Sequence, residues 1–102
     1  MINTKNRTCL VGSKWLYYKI YCGVKTADTL LLEVLKPLTK NLLEKQIINK
    51  WFFIRYSDPK PHLRFRVELI DLKNNYEVIQ TVKTLLNPYI NNRQIWDIQI
   101  AN

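Results

Sequence analysis

A chain of 102 residues has room for one domain and one modest core. With 47% apolar and 24% charged residues it is neither disordered by composition nor a membrane span, and no apolar run approaches the ~18 residues a transmembrane helix needs. The net charge of +8, from 16 Lys and Arg against 8 Asp and Glu, favours anionic partners such as nucleic acid, acidic peptides, carboxylates or phosphates. Eleven of the sixteen are lysines spread along the chain, which is also the make-up of an ordinary solvated surface. Two cysteines, Cys9 and Cys22, are too few for a disulfide scaffold and fit a reducing cytoplasm. With a single histidine they supply no Cys- or His-based metal cluster, and with only Gly12 and Gly23 there is no phosphate- or dinucleotide-binding loop; no metal or cofactor is expected. Met1 to Leu10 lacks the apolar stretch of a signal peptide. Residues 1–12 read as a flexible tail and 13–102 as a single domain.

In chain order, Trp15 to Tyr21 is aromatic and β-branched, a strand ended by Gly23. Thr26 before Ala27-Asp28 reads as a helix cap. Leu30, Leu31, Val34, Leu35, Leu38, Leu42 and Leu43 then recur at helical steps, with Pro37 expected to kink or split the helix. Lys50 to Tyr56 is a second strand, and Ser57-Asp58-Pro59-Lys60-Pro61 a rigid turn. His62 to Leu69 alternates cleanly as a third strand. Asn74-Asn75 open a second helix through Tyr76, Val78, Ile79, Val82, Leu85 and Leu86 that breaks near Pro88, and Ile95 to Ile100 is a fourth strand. The order β-α-β-β-α-β predicts an α+β, ferredoxin-like fold: a four-stranded antiparallel sheet with two proline-interrupted helices on one face.

Alternation assigns the faces. Leu63, Phe65, Val67 and Leu69 face the helices, so His62, Arg64, Arg66 and Glu68 lie on the open face. Leu16, Tyr18 and Ile20 suit the core, which leaves Trp15, Tyr17, Lys19 and Tyr21 outside. The second strand is apolar on both sides; Phe53 and Arg55 are placed outward because Arg55 is the residue least suited to burial. Trp96, Ile98 and Ile100 are placed inward, Asp97 and Gln99 outward. The expected open face is therefore aromatic and cationic. A solvated sheet with Glu68 and Asp97 pairing the arginines is one reading. A second is a single-stranded RNA module that stacks bases on those rings, although HLRFRVEL lacks the glycine-rich signature of such modules. A third is a pocket for a carboxylate-bearing peptide, with Arg64 and Arg66 as bidentate clamps.

The run WFFIRYSDPKPHLRFRV resembles the C-terminal, glutamate-elimination domain of class I lanthipeptide dehydratases and related thiopeptide-type bacteriocin biosynthesis proteins. The likeness lies in Phe53-Ile54-Arg55-Tyr56, Asp58-Pro59 and Pro61-His62-Leu63-Arg64-Phe65-Arg66, with a similar opening over residues 12–31. The resemblance implies a precursor peptide whose Ser or Thr carries a glutamyl ester, loss of glutamate, and a dehydroamino acid as product; related members carry out a cycloaddition instead. It implies catalytic roles for Arg64 and Arg66; Arg55, His62, Tyr17 and Phe53, which share the expected open face with them, are the substrate-binding candidates. The family's later segment, with a further arginine and a histidine, has no counterpart before Asn102. The expectation is thus a partial elimination domain, whether a gene fragment, a decayed remnant or a split subunit completed by a partner polypeptide; a peptide- or RNA-binding module and a non-catalytic docking subunit are the alternatives.

Overall fold

The computed structural model describes residues 14–57 and 60–101; the expected tail, with Cys9, and the Asp58-Pro59 centre of the turn lie outside them. Trp15–Cys22 form β1 and Val24–Leu30 form α1, with Gly23 rather than Thr26 at the cap position. A π-helical turn, Leu31–Leu35, leads into α2, Lys36–Glu44. β2 (Ile48–Tyr56), β3 (His62–Leu69), a 3-10 turn (Leu72–Asn74), α3 (Asn75–Asn91) and β4 (Ile95–Ala101) follow. The strands form one antiparallel sheet in the order β2-β3-β1-β4, the expected α+β arrangement. The molecule is 18 Å through its thinnest axis, the depth of one sheet under one layer of helices.

The central strands hold the core. Leu16, Tyr18 and Ile20 of β1 and Leu63, Phe65, Val67 and Leu69 of β3 are at most 1% exposed and meet Leu30, Leu35, Val78, Val82 and Leu86 from the helices. The π turn lies just before Pro37, whose ring would clash with the carbonyl four residues back in a regular α-helix and which has no N–H to donate to it. The buried Thr39 hydroxyl donates back to the Leu35 carbonyl at 2.8 Å. α3 ends three residues beyond Pro88, at Asn91.

Both long helices end in the same way. Ile47 N–H donates to Leu42 O (2.9 Å) and Gln46 N–H to Leu43 O (3.1 Å); Gln94 N–H donates to Tyr89 O (2.9 Å) and Arg93 N–H to Ile90 O (3.1 Å). These are paired Schellman bonds, and they force Gln46 (φ 58°) and Arg93 (φ 67°) into the left-handed region that glycine occupies without a Cβ clash. Gln46→Gly and Arg93→Gly are each expected to stabilise the fold by roughly 0.5–1 kcal/mol, read as a higher denaturant midpoint at unchanged slope.

Two bulges correct the face assignments. Ile48 pairs with Leu69 but Lys50 pairs with Glu68, so Asn49 is an extra residue in β2. Beyond it every side chain changes face. Phe52, Ile54 and Tyr56 stand opposite Arg66, Arg64 and His62 on the open face, whereas Phe53 and Arg55 stand opposite Phe65 and Leu63 on the helix side. The expectation that Phe53 and Arg55 face outward is therefore overturned. In β4 the register shifts between Tyr21 and Cys22, leaving Trp96 as the bulged residue, 57% exposed rather than packed inward. Ile95 takes the core position and Ile98 packs against it, while Ile100 is exposed.

Cys22, beside that bulge, is buried, and burial pushes its thiol from 9.0 up to about 11. The neutral form is favoured in the folded state, so its contribution to stability is complete below pH 9.0 and is lost as pH rises towards about 11. Burial also raises the Tyr18 phenol. Thermal unfolding followed across this alkaline window should show a falling midpoint, and Cys22→Ala should flatten part of the fall.

Candidate functional site

The open face is built as three rungs across β2, β3 and β1. Phe52, Arg66 and Tyr17 form the first, Ile54, Arg64 and Lys19 the second, and Tyr56, His62 and Tyr21 the third. Each follows from antiparallel register, which sets directly opposed residues side by side on one face.

The arginines lie on aromatic rings. Arg66 Cζ is 4.4 Å from the Tyr17 ring centroid and 5.6 Å from that of Phe52; Arg64 Cζ is 3.9 Å from that of Tyr56. Stacking of this kind holds a guanidinium by its face and leaves its edge N–H donors turned outward. Neither carboxylate near the face neutralises them. Glu68 accepts from Asn49 Nδ2 at 3.2 Å, and Asp97 accepts from the Ile98 N–H at 2.9 Å. Among the described residues the ion pairs are Arg55–Asp28 and Lys73–Asp71, which involve neither Arg64 nor Arg66. Lys19 stands directly opposite Arg64, a like-charge pairing that destabilises a sheet unless an anion joins them.

His62 is 4% exposed. Its ring lies between Tyr21 (centroids 4.9 Å apart) and Tyr56 (5.2 Å, nearly parallel at 11°). Nδ1 is 2.9 Å from the Lys60 carbonyl oxygen, and Nε2 accepts from Arg64 Nε–H at 3.2 Å. Both ring nitrogens are engaged, so the expected direct contact of His62 with substrate does not fit this geometry. Along the β1–β4 side, Tyr21, Lys60, Trp96, Asp97 and Gln99 line a shallow cleft of about 250 Å³.

The structure thus brings together Arg64, Arg66, Tyr17 and His62 of the expected residues and separates Phe53 and Arg55 from them. Phe53 stacks on Trp51 (6.1 Å) on the helix side, and Arg55 Nη1 lies 2.7 Å from Asp28 Oδ1 of α1. Lys19 stands beside the arginines as the sequence reading has it, while Phe52 and Tyr56 take the places it gave to Phe53 and Arg55. The signal for them was the break in alternation at Ile47-Ile48-Asn49-Lys50, two apolar then two polar residues, where the bulge sits.

Residues 15–102 match the family described as the lantibiotic biosynthesis dehydratase C-terminal domain, and the chain belongs to that family. It is 34% identical over 71 residues to the nisin biosynthesis protein NisB of Lactococcus lactis subsp. lactis, covering 70% of this chain and 7% of that protein. It is 36% identical over 52 residues to the subtilin biosynthesis protein SpaB of Bacillus subtilis, covering 51% of this chain and 5% of that one. The fold superposes on the tRNA-dependent lantibiotic dehydratase MibB from Microbispora sp. 107891 with a TM-score of 0.73 at 24% identity, over 90% of this chain and 9% of that chain. The chain spans less than a tenth of the length of these relatives, at 7%, 5% and 9%. Among the described residues, no helix is long and apolar enough to cross a membrane.

Proposed function

We infer that this chain supplies the arginine side of a site that eliminates glutamate from a glutamylated Ser or Thr of a precursor peptide, in the cytoplasm, with the base supplied from outside residues 15–102. In that reaction the base removes the α-proton, the electron pair forms the Cα–Cβ double bond, and the Cβ–O bond breaks to release glutamate as a carboxylate. Negative charge builds first on the peptide carbonyl next to the α-carbon and then on the departing carboxylate. One guanidinium suits each of these positions, because a preorganised cation lowers the barrier where charge develops and a planar fork clasps a carboxylate in two places. The observation that carries this reading is that Arg64 and Arg66 are fixed by stacking and left without a carboxylate partner among the described residues. Residues 13–102 then act as a partial elimination domain. Stacking of RNA bases is less well supported, since Tyr17 and Tyr56 already carry guanidinium groups on their rings.

The test mixes the protein with a Ser-glutamylated peptide and a dehydratase whose own counterpart of residues 15–102 is inactivated, and follows the peptide's mass. Loss of glutamate and gain of the dehydro residue, dependent on Arg64 and Arg66, is the expected result. No restored elimination, with equal binding of esterified and plain peptide, contradicts the reading.

A further inference from the structure

Arg Nε–H can only donate, so the Arg64 Nε to His62 Nε2 contact at 3.2 Å requires a lone pair on Nε2. The proton of a neutral ring then sits on Nδ1, where it is donated to the Lys60 carbonyl oxygen at 2.9 Å. The two contacts specify the same tautomer independently. The ring cannot turn away, because Tyr21 and Tyr56 hold its two sides and it is buried. Tyr56 also carries the Arg64 guanidinium at 3.9 Å, so His62 and Arg64 rest on one ring and are joined edge to edge.

We propose that His62 is a positioning residue for Arg64: held as the neutral Nδ1–H tautomer, it anchors Arg64 Nε and thereby aims the remaining N–H donors of the guanidinium at an anion over the open face. The significance of that anion rests on the function inferred above; the positioning itself does not. Protonation of His62 places N–H groups on both ring nitrogens, so Nε2 no longer accepts, and two cations confront each other. Acid therefore releases Arg64. Around the ring stand Tyr21 and Cys22 of β1, Tyr56 and Arg55 of β2 and Arg64 of β3, with the Lys60 carbonyl in the preceding turn; beyond them Asp28 of α1 is paired to Arg55, and Asp97 of β4 stands opposite Tyr21. Neither carboxylate is a partner of the ring nitrogens: Asp28 is bonded to Arg55 and Asp97 accepts from the Ile98 N–H.

Nitrogen-15 NMR of the wild-type protein tests the tautomer directly. The expected result is a protonated Nδ1 and an unprotonated Nε2 at neutral pH, with a protected Arg64 Nε–H resonance that disappears in step with protonation of the ring. A protonated Nε2 at neutral pH, or an Arg64 resonance indifferent to the ring's titration, overturns the proposal. Two variants separate positioning from packing. His62→Gln can place a carboxamide oxygen where Nε2 lies, while His62→Asn can keep a donor for the Lys60 carbonyl but has no acceptor that reaches Arg64. Free glutamate, titrated calorimetrically, should bind about tenfold more weakly to His62→Asn and within about threefold of wild type to His62→Gln, the loss expected when a charge-assisted donor is misdirected. Equal loss in both variants would make His62 a packing residue and overturn the proposal. Should wild type fail to bind glutamate at all, the inferred function is in difficulty, and the NMR result alone then decides whether His62 positions Arg64.

Discussion

Alanine at Arg64 or Arg66 should lower the restored rate of glutamate elimination by about 10²–10³, the usual cost of removing one preorganised group that faces developing charge. Arg55→Ala should leave that rate within about twofold of wild type while costing no more than about 1 kcal/mol of stability, because its ion pair with Asp28 is half exposed. The contrast is informative because all three arginines sit in one short stretch of two neighbouring strands and only the Asn49 bulge separates their faces. A lysine at Arg64 or Arg66 keeps the charge but not the fork or the stack, so it should recover only a small part of the rate. Single-turnover mass spectrometry of the peptide gives the comparison without dependence on product release. An Arg55→Ala loss as large as that of Arg64→Ala would place the working face on the helix side and remove the present account of the site.

Phe65→Ala should be the most damaging single change to the fold. Phe65 lies in β3, one of the two central strands, with no exposed surface, and packs against Tyr18 at 5.9 Å and edge-on to Trp51 at 6.0 Å. Truncation of such a ring costs about 3–5 kcal/mol, transfer and cavity terms together, against a total of roughly 5–15 kcal/mol for a domain of ordinary stability. Chemical denaturation should therefore show a chain that is largely unfolded or close to it. Phe53→Ala, three-eighths exposed at 38% on edge strand β2, should cost far less despite removing the same atoms. Similar costs at the two positions would mean that β2 is covered more fully than its exposure indicates.

The architecture was legible because it depends on repeated signals. The alternation in HLRFRVEL and WLYYKIY, and the leucine spacing of the first helix, each specify a face several times over, and the core of β1 and β3 follows them residue by residue. The errors arose where a single residue decides. One extra residue at Asn49 reversed β2, which is apolar on both sides and so carries no pattern that would reveal the reversal. One extra residue at Trp96 moved the inward position of β4 to Ile95. Arg55 was assigned outward because an unpaired buried arginine is unfavourable; the partner that makes the helix side tolerable, Asp28, lies in a different element and becomes visible only in three dimensions. The engagement of both nitrogens of His62 was similarly invisible, since it depends on a backbone carbonyl in the preceding turn.

Arg64 and Arg66 are proposed to form an anion site specific for the glutamyl ester. The most direct measurement is the affinity of the purified protein for a Ser-glutamylated peptide beside the same peptide with a free serine. The ester should bind at least about tenfold more tightly, as expected for a charge-assisted, bidentate contact, and Arg64→Ala or Arg66→Ala should erase the difference. Equal affinities for the two peptides, in wild type and variants alike, would contradict the proposal.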